Sequence, residues 1–165
     1  MSDWEELVNE HGPALFAIAS RILGDAGAAE DVVQEVFLEA FQMKQRRELS
    51  QWSGLLHRMA TCRSLDWLRK RKLAVSIDSL ALASRIDDPL ANAVSRELAE
   101  RLREAISDLP PHEGEVFCLR YFEELSYQQI AEVLNSTSGA VATALHRARA
   151  KLEIVFTEIE KGTEL

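Results

Sequence analysis

The sequence predicts an all-α protein built from two small helical domains joined by a flexible linker, with a helix-turn-helix in the C-terminal domain. Apolar residues recur at helical spacing through most of the 165 residues. Residues 74–93 lose that periodicity and contain Asp88-Pro89, where proline disfavours a helix at the preceding residue. Residues 125–152 have the pattern of two helices around a tight turn. We therefore expect domains at 1–73 and 94–165, with the linker at 74–93.

Three helical segments are predicted in the first domain. Residues 3–23 carry a helical pattern, interrupted at Gly12-Pro13 because proline can begin a helix but disrupts its interior. Asp25 is a suitable N-cap for a second helix that ends near Lys44. After a polar, basic loop, a third helix is expected from about Gln51 to Lys72.

The second domain is predicted to begin with a helix over Asn92–Ser107, which turns Leu98, Leu102 and Ile106 inward. Leu109-Pro110-Pro111 ends that helix and begins the next, which extends to about Phe122.

The helix-turn-helix follows directly. Ser126 and Gln129 have the spacing of a capping box, and Asn135-Ser136 supplies turn residues before Thr137, a plausible cap of the last helix. That helix, expected to end near Glu153, has one apolar face: Val141, Leu145, Ala148 and Leu152. The pattern favours a DNA-binding unit over an ordinary helical hairpin in a bundle, which stays an alternative.

The net charge of −8 is distributed unevenly along the chain. Residues 1–43 hold nine acids and one base, residues 44–75 hold nine bases and two acids, and the remainder holds nine bases and sixteen acids. Asp31, Gln34, Glu35 and Leu38 share one face of the second helix, for which a solvated acidic surface is the simplest interpretation. The run 69–72 (RKRK) exceeds what a helix C-terminus requires and indicates phosphate contact.

Catalytic chemistry has no support in the sequence. Phosphate-binding glycine loops, nucleophile elbows and HExxH motifs are absent, and the four histidines are scattered singly. Cys62 and Cys118 are far apart and lack neighbours at metal-ligand spacing, so we expect no metal, no cofactor and no disulfide. The acidic N-terminus is unlike a signal peptide and no apolar run would span a bilayer, so a cytoplasmic protein is expected.

Four stretches together resemble the two-domain, extracytoplasmic-function (ECF) type sigma factors of bacterial RNA polymerase. They are AEDVVQEVFLEAF (29–41), WSGLLHRMATCRSLDWLRKRK (52–72), LPPHEGEVFCLRYFEELSYQQIAEVL (109–134) and GAVATALHRARAKL (139–152). The resemblance implies a non-enzymatic transcription initiation factor whose partners are promoter DNA and core polymerase, through the clamp of its largest subunit and the flap of the second. It also implies regulation by an anti-sigma factor.

The resemblance assigns three groups of residues to these partners. The core-binding group lies on the second helix and consists of Asp31, Gln34, Glu35 and Leu38. Phe37, on the same helix, still has the spacing of a core residue. The group at the −10 element, where the DNA is melted, is Trp52, Arg58, Thr61, Cys62, Arg63, Arg69, Lys70, Arg71 and Lys72. The group at the −35 element is Ser126, Tyr127, Ser138, Gly139, Thr143, His146, Arg147 and Arg149.

Two departures from the family pattern affect DNA reading. Thr61-Cys62 stands where relatives commonly have Arg-Asn, and cysteine is a poor hydrogen-bonding group for a base edge. Ala142-Thr143-Ala144 stands where relatives often have Lys-Ser-Arg, so weaker and less salt-dependent −35 binding is expected. The acidic net charge and the alanine-rich recognition helix motivate an alternative, a sigma-like decoy for an anti-sigma factor or for core polymerase, although a decoy would not need the basic run 69–72. A free-standing repressor is a weaker option, because it would leave the first domain unexplained.

Overall fold

The computed structural model describes residues 3–46, 52–77 and 93–163. In these ranges every regular element is a helix, as predicted. The helices are α1 (Asp3–Leu23), α2 (Ala26–Arg46), α3 (Trp52–Ile77), α4 (Ala93–Asp108), α5 (Pro111–Tyr121), α6 (Tyr127–Leu134) and α7 (Ser138–Thr163). Across the described ranges no helix combines the length and apolar character needed to cross a membrane.

The chain divides into two compact units, Met1–Ile86 and Asp87–Leu165. In the first unit, α1, α2 and α3 pack against one another. In the second, α4, α5 and α6 pack against α7, and α5 also contacts α6. Helix α3 continues past its predicted end at Lys72 as far as Ile77. Residues 78–92, most of the predicted linker, lie outside the described residues, and the domain limits stay a prediction.

Helix α1 is continuous through Pro13, so the predicted break at Gly12-Pro13 is wrong. An interior proline costs a helix about 3 kcal/mol, but both halves of α1 are held by tertiary contacts. Before the proline, the ring of Trp4 packs edge-on against Phe37 and Phe41 of α2. After it, Leu15 and Ile18 are buried. These contacts offset the local penalty.

The turn between α1 and α2 is set by two residues with distinct tasks. Gly24 has a φ of 65° and donates its N–H to the Ser20 carbonyl at 2.8 Å, which closes the end of α1. The carboxylate of Asp25 accepts a hydrogen bond from the Ala28 N–H at 3.2 Å, which confirms its predicted role as the cap of α2.

The core of the first unit is formed by apolar side chains on the inward stripes of its three helices. Its largest fully buried members are Leu15, Ile22, Leu23, Val32, Val36, Leu56 and Leu65. This packing fixes the other faces of α2 and α3 side by side at the surface of the unit.

In the second unit, α4 is amphipathic as predicted, but its inward stripe is shorter. Ile106 is fully buried, whereas Leu98 is 43% exposed, contrary to prediction. Helix α5 begins at Pro111 after Pro110, where the missing proline N–H costs nothing. It buries Val116, Phe117 and Leu119.

The helix-turn-helix forms as predicted. Ser126 Oγ accepts from the Gln129 N–H at 3.1 Å, and the Gln129 side chain accepts from the Ser126 N–H at 2.9 Å, completing the capping box. Asn135 turns the chain in the left-handed conformation, at a φ of 52°. Thr137 Oγ1 accepts from the Ala140 N–H at 3.1 Å and caps α7. The predicted apolar face of α7 is buried: Val141, Leu145, Ala148 and Leu152.

Candidate partner and nucleic-acid interfaces

The predicted core-binding residues lie together on the surface of α2. Asp31 and Gln34 are exposed, Glu35 is half-buried, and Leu38 is 64% exposed. Their spacing places them on one side of the helix, while Val32, Val36 and Ala40 face the core. The structure therefore brings these four residues together on one accessible face.

Glu39 extends this face and was missed by the sequence analysis. It follows Glu35 by four residues, as Glu35 follows Asp31, so the three carboxylates form one stripe along α2, here called the carboxylate stripe. The signal was present in the sequence, in the repeated four-residue spacing.

Arg63 of α3 is held by the carboxylate stripe. Its Nη1 lies 3.3 Å from Glu35 Oε2, its Nε lies 3.2 Å from Glu39 Oε2, and its Nη2 also bonds Glu39. The hydrogen bond with Glu39 raises the pKa of the Arg63 guanidinium, while burial opposes that rise. Arg63, which the resemblance assigns to −10 DNA, is thus engaged inside its own unit in the free protein.

Beside the carboxylate stripe, α1 and α2 enclose an open apolar groove of about 700 Å³. Its lining includes Trp4, Val8, Phe37, Leu38 and Phe41. Phe37, expected in the core, is half-buried and forms a wall of the groove with its ring 6.1 Å from that of Trp4. Phe41 remains 41% exposed, so the acidic face is bordered by accessible apolar surface.

The predicted −10 residues on α3 differ in how they are placed. Arg58 and Lys70 are exposed, and Trp52, Cys62 and Lys72 are half-buried. In the basic run, Arg69 pairs with Asp66 at 3.2 Å, and Arg71 donates to the Leu23 carbonyl at the end of α1 at 3.3 Å. The structure therefore divides the run between an exposed position and positions that contact the rest of the unit.

Thr61 is the clear correction within this group. Its side chain is fully buried, so it cannot contact a base in this arrangement. Ser64, Leu65 and Leu68, which follow it by three, four and seven residues, are buried on the same face of α3. That spacing marks Thr61 as a core position, whereas the resemblance assigned it to DNA.

The helix-turn-helix presents its predicted −35 residues on the exposed side of α7. Ser138, Gly139, Thr143, His146, Arg147 and Arg149 are all exposed. Ser126 is also exposed, but its hydroxyl is engaged in the cap of α6. The Tyr127 ring lies 5.4 Å from the Arg120 guanidinium, and Arg120 in turn donates to the Leu125 carbonyl at 3.0 Å. Ser126 and Tyr127 are therefore both engaged in contacts within the second unit.

Two cations of α7 are engaged by side chains of α5. Arg149 donates to the Tyr121 hydroxyl and lies 5.3 Å from the centre of its ring. Lys151 bonds Glu113, a buried carboxylate, at 2.6 Å. Arg147 is exposed near the middle of the helix.

The alanines of α7 lie in different environments. Ala144 is buried beside Val141 and Leu145, so it belongs to the core, and the expectation that it marks a missing groove contact is wrong. Ala142 is half-buried, so it can still mark the position of a missing contact with the DNA groove. No cluster of three or more metal-ligating side chains occurs in the described ranges.

The model of the Sigma-70 region 2 family matches residues 7–73, and that of Sigma-70 region 4 matches residues 99–152. The chain is 32% identical over 162 residues to the ECF RNA polymerase sigma factor SigW of Bacillus subtilis, covering 89% of this chain and 85% of that protein. The chain belongs to the ECF sigma factors. SigE of Mycolicibacterium smegmatis, another ECF sigma factor, is 32% identical over 159 residues. This ECF sigma factor spans 61% of the length of SigE, with 92% of its own chain aligned.

Solved structures share the fold of this ECF sigma factor. The sigma factor RpoE of Bartonella quintana, in complex with the anti-sigma factor NepR, matches with a TM-score of 0.57 at 21% identity, covering 95% of this chain and 98% of RpoE. CnrH, in complex with the cytosolic domain of CnrY, matches with a TM-score of 0.59 at 22% identity, covering 94% and 88%.

Proposed function

We propose that this ECF sigma factor binds core RNA polymerase, directs it to a subset of promoters and helps melt the −10 region. The observation that carries the proposal is the pairing of surfaces in the first unit. The carboxylate stripe on α2, which is accessible to solvent, lies beside a cationic helix, α3. A basic protein partner and a nucleic acid can each find a complementary surface there.

The carboxylate stripe and the apolar groove together form the proposed contact with the clamp of the largest subunit. Asp31, Gln34, Glu35 and Leu38 retain their assigned roles, and Glu39 joins them. Leu38 is 64% exposed between the charged and the apolar surfaces. A partner helix with basic and bulky apolar residues on one face would match both, because charges guide encounter while apolar contact slows dissociation.

Helix α3 carries the proposed −10 function. Melting requires that a base leave the stack and that the displaced strand be held by positive charge. Arg58 and Lys70 are exposed and suited to phosphate contact, and the half-buried Cys62 lies at the surface where a base would be read. Thr61 has no place in this proposal, because it is buried.

Helix α7 is the proposed reader of the −35 element. The second unit, which contains α7, is also proposed to contact the flap of the second-largest subunit of the polymerase. Ser138, Thr143, His146 and Arg147 present hydrogen-bonding groups on its exposed side. Gly139 is exposed in the first turn of α7, and its lack of a side chain permits close approach of the helix N-terminus to a phosphate.

An anti-sigma factor belongs to the proposal as a regulator. RpoE of Bartonella quintana is bound by an anti-sigma factor in its solved structure. In this chain, the apolar groove beside the carboxylate stripe offers a protein partner a surface that overlaps the proposed contact with core polymerase.

The test is in-vitro transcription with purified core polymerase on a promoter library. The proposal expects transcripts that depend on added sigma factor and begin at a defined promoter class. Binding to core without any promoter-dependent transcript would overturn it.

A decoy for an anti-sigma factor or for core polymerase is the second candidate. It is favoured by α7, where Arg149 and Lys151 are engaged within the unit. Titration of holoenzyme binding with salt distinguishes the two functions. A true initiation factor retains a preference for promoter over scrambled DNA as salt rises, whereas a decoy has none at any salt concentration.

A further inference from the structure

Arg63 joins the two functional faces of the first unit. It extends from α3, the proposed DNA helix, and its guanidinium bonds both Glu35 and Glu39 on α2, the proposed core-binding helix. A guanidinium that bonds two carboxylates through three nitrogens is well oriented, so the contact is specific in geometry. Because of this contact, a partner that binds the glutamates of α2 competes directly with Arg63 of α3.

Arg63 also halves the charge of the two glutamates it bonds. With Asp31, they give the stripe three negative charges, of which Arg63 cancels one. The side chains of Arg63, Glu35 and Glu39 are 36%, 41% and 44% exposed, so water reaches all three. Because water reaches this contact, the internal ion pair is screened, and a cation supplied by a partner can compete with Arg63 for the two carboxylates.

We propose that Arg63 is an internal competitor for the carboxylate stripe, displaced when a basic group of core polymerase binds Glu35 and Glu39, and then available to promoter phosphate. This inference rests on the proposed function. It adds Glu39 to the core-binding face and makes Arg63 a coupling residue. Because the guanidinium stays charged throughout, exchange of partners needs no proton transfer.

The coupling is reciprocal. If core binding releases Arg63 for DNA, promoter DNA that holds Arg63 must strengthen core binding by the same factor. In the free sigma factor, Arg63 remains on the stripe and contributes little to DNA binding. Assembly of the holoenzyme then makes the Arg63 guanidinium, already present in the sigma factor, available to promoter phosphate.

Titration of fluorescently labelled full-length sigma factor with core polymerase tests the competition. Arg63→Gln removes the competing cation and should tighten core binding about two- to fivefold at low salt, with the gain shrinking as salt rises. Arg101→Gln is the matched control, since it removes the same charge and breaks an exposed ion pair with Glu97 on α4. It should leave the core Kd unchanged.

A double-mutant cycle identifies the partner of Arg63. Glu39→Gln should weaken core binding, and in that background Arg63→Gln should give a smaller gain than in the natural chain. Arg63→Lys retains the cation but not the forked geometry, and should give an intermediate gain even if Arg63→Gln proves unstable. Equal or weaker core binding by both Arg63 variants would overturn the proposal and leave Arg63 as a structural tie.

The DNA step has its own measurement. Holoenzyme with Arg63→Gln should bind promoter DNA with a salt slope smaller by about one, the value for one lost phosphate contact. An unchanged slope would overturn release of Arg63 to the promoter. If the natural chain binds neither core nor promoter, the proposed function itself fails, which is a different result from natural binding with silent Arg63 variants.

Discussion

Thr61 and Cys62 are neighbours on α3 with different surroundings. Thr61 is fully buried among core residues, whereas Cys62 is half-buried at the surface. The family pattern assigns both residues to −10 DNA, but only the side chain of Cys62 can approach a base. The difference can be tested at the level of single residues.

We predict that Cys62→Asn changes the −10 sequence preference and that Thr61→Val does not. Asparagine adds a donor and an acceptor that can bond a base edge in a bidentate manner, which a thiol cannot. Thr61→Val should alter only stability, by about 1 kcal/mol, through loss of a buried hydroxyl. Promoter-library transcription with both variants measures the preferences, and chemical denaturation measures stability. A change in preference with Thr61→Val alone would contradict the buried placement.

The arginines of α7 should contribute unequally to DNA binding. Arg147 is exposed, whereas Arg149 must leave the Tyr121 hydroxyl and ring to contact phosphate. We expect Arg147→Gln to lower the salt slope of promoter binding by about one, and Arg149→Gln to have a smaller effect. Fluorescence anisotropy of holoenzyme on a labelled promoter, across a salt series, checks this order. Equal effects would mean that the Tyr121 contact is exchanged for phosphate at no cost.

At the scale of elements, the cap of α6 sets the entry to the helix-turn-helix. Ser126→Ala should lower the stability of the second unit by about 1 kcal/mol, because the Gln129 N–H loses its acceptor. Gln129→Ala removes the reciprocal bond, so the double variant should cost less than the sum of the single ones. Urea denaturation followed by circular dichroism measures all three. Strict additivity would show that the two bonds act independently.

The helix-turn-helix was predictable because its signals are local. A capping box, turn residues and an apolar stripe fall within one short segment, and each depends on near neighbours in sequence. The continuous α1 was not predictable in this way. Proline at position 13 signals a break, and the contacts of Trp4 with Phe37 and Phe41 that hold the helix together are tertiary.

The candidate sites were predicted as faces more accurately than as individual residues. The α2 face lies at the surface as expected, since a four-residue repeat determines which side of a helix is shared. The family pattern placed Thr61 at the DNA and Ala144 in the groove-facing part of α7, and the burial of both residues excludes these placements. Arg63 shows a further limit, because no helical periodicity indicates that a basic residue will bond carboxylates 24 and 28 positions earlier.

At the scale of the whole molecule, the division of charge reconciles a net charge of −8 with DNA binding. Acidic α2 packs beside cationic α3 in the same unit. Within a Debye length, about 10 Å at 0.1 M salt, the carboxylates of α2 repel phosphate near α3. Core polymerase bound to α2 would remove that repulsion, so free sigma factor should bind DNA more weakly than holoenzyme.

Asp31→Asn should therefore have opposite effects on the two partners. Asp31 is an exposed member of the carboxylate stripe, so the change should weaken core binding about two- to fivefold, while nonspecific DNA binding by the free chain rises by about twofold. Glu30→Gln is the matched control, because Glu30 is exposed on α2 but outside the stripe. It removes the same charge and should produce the gain in DNA binding without the loss of core affinity.

Both affinities are measured by titration with labelled sigma factor, at low salt and again at 0.5 M, where the effects should largely vanish because the Debye length falls to about 4 Å. If Glu30→Gln weakens core binding as much as Asp31→Asn, core polymerase responds to the total charge of the helix. If only Asp31→Asn weakens it, recognition depends on the stripe formed by Asp31, Glu35 and Glu39. In that case core polymerase recognises the carboxylate stripe itself, whereas acidic residues outside the stripe, such as Glu30, weaken DNA binding by the free protein through general repulsion.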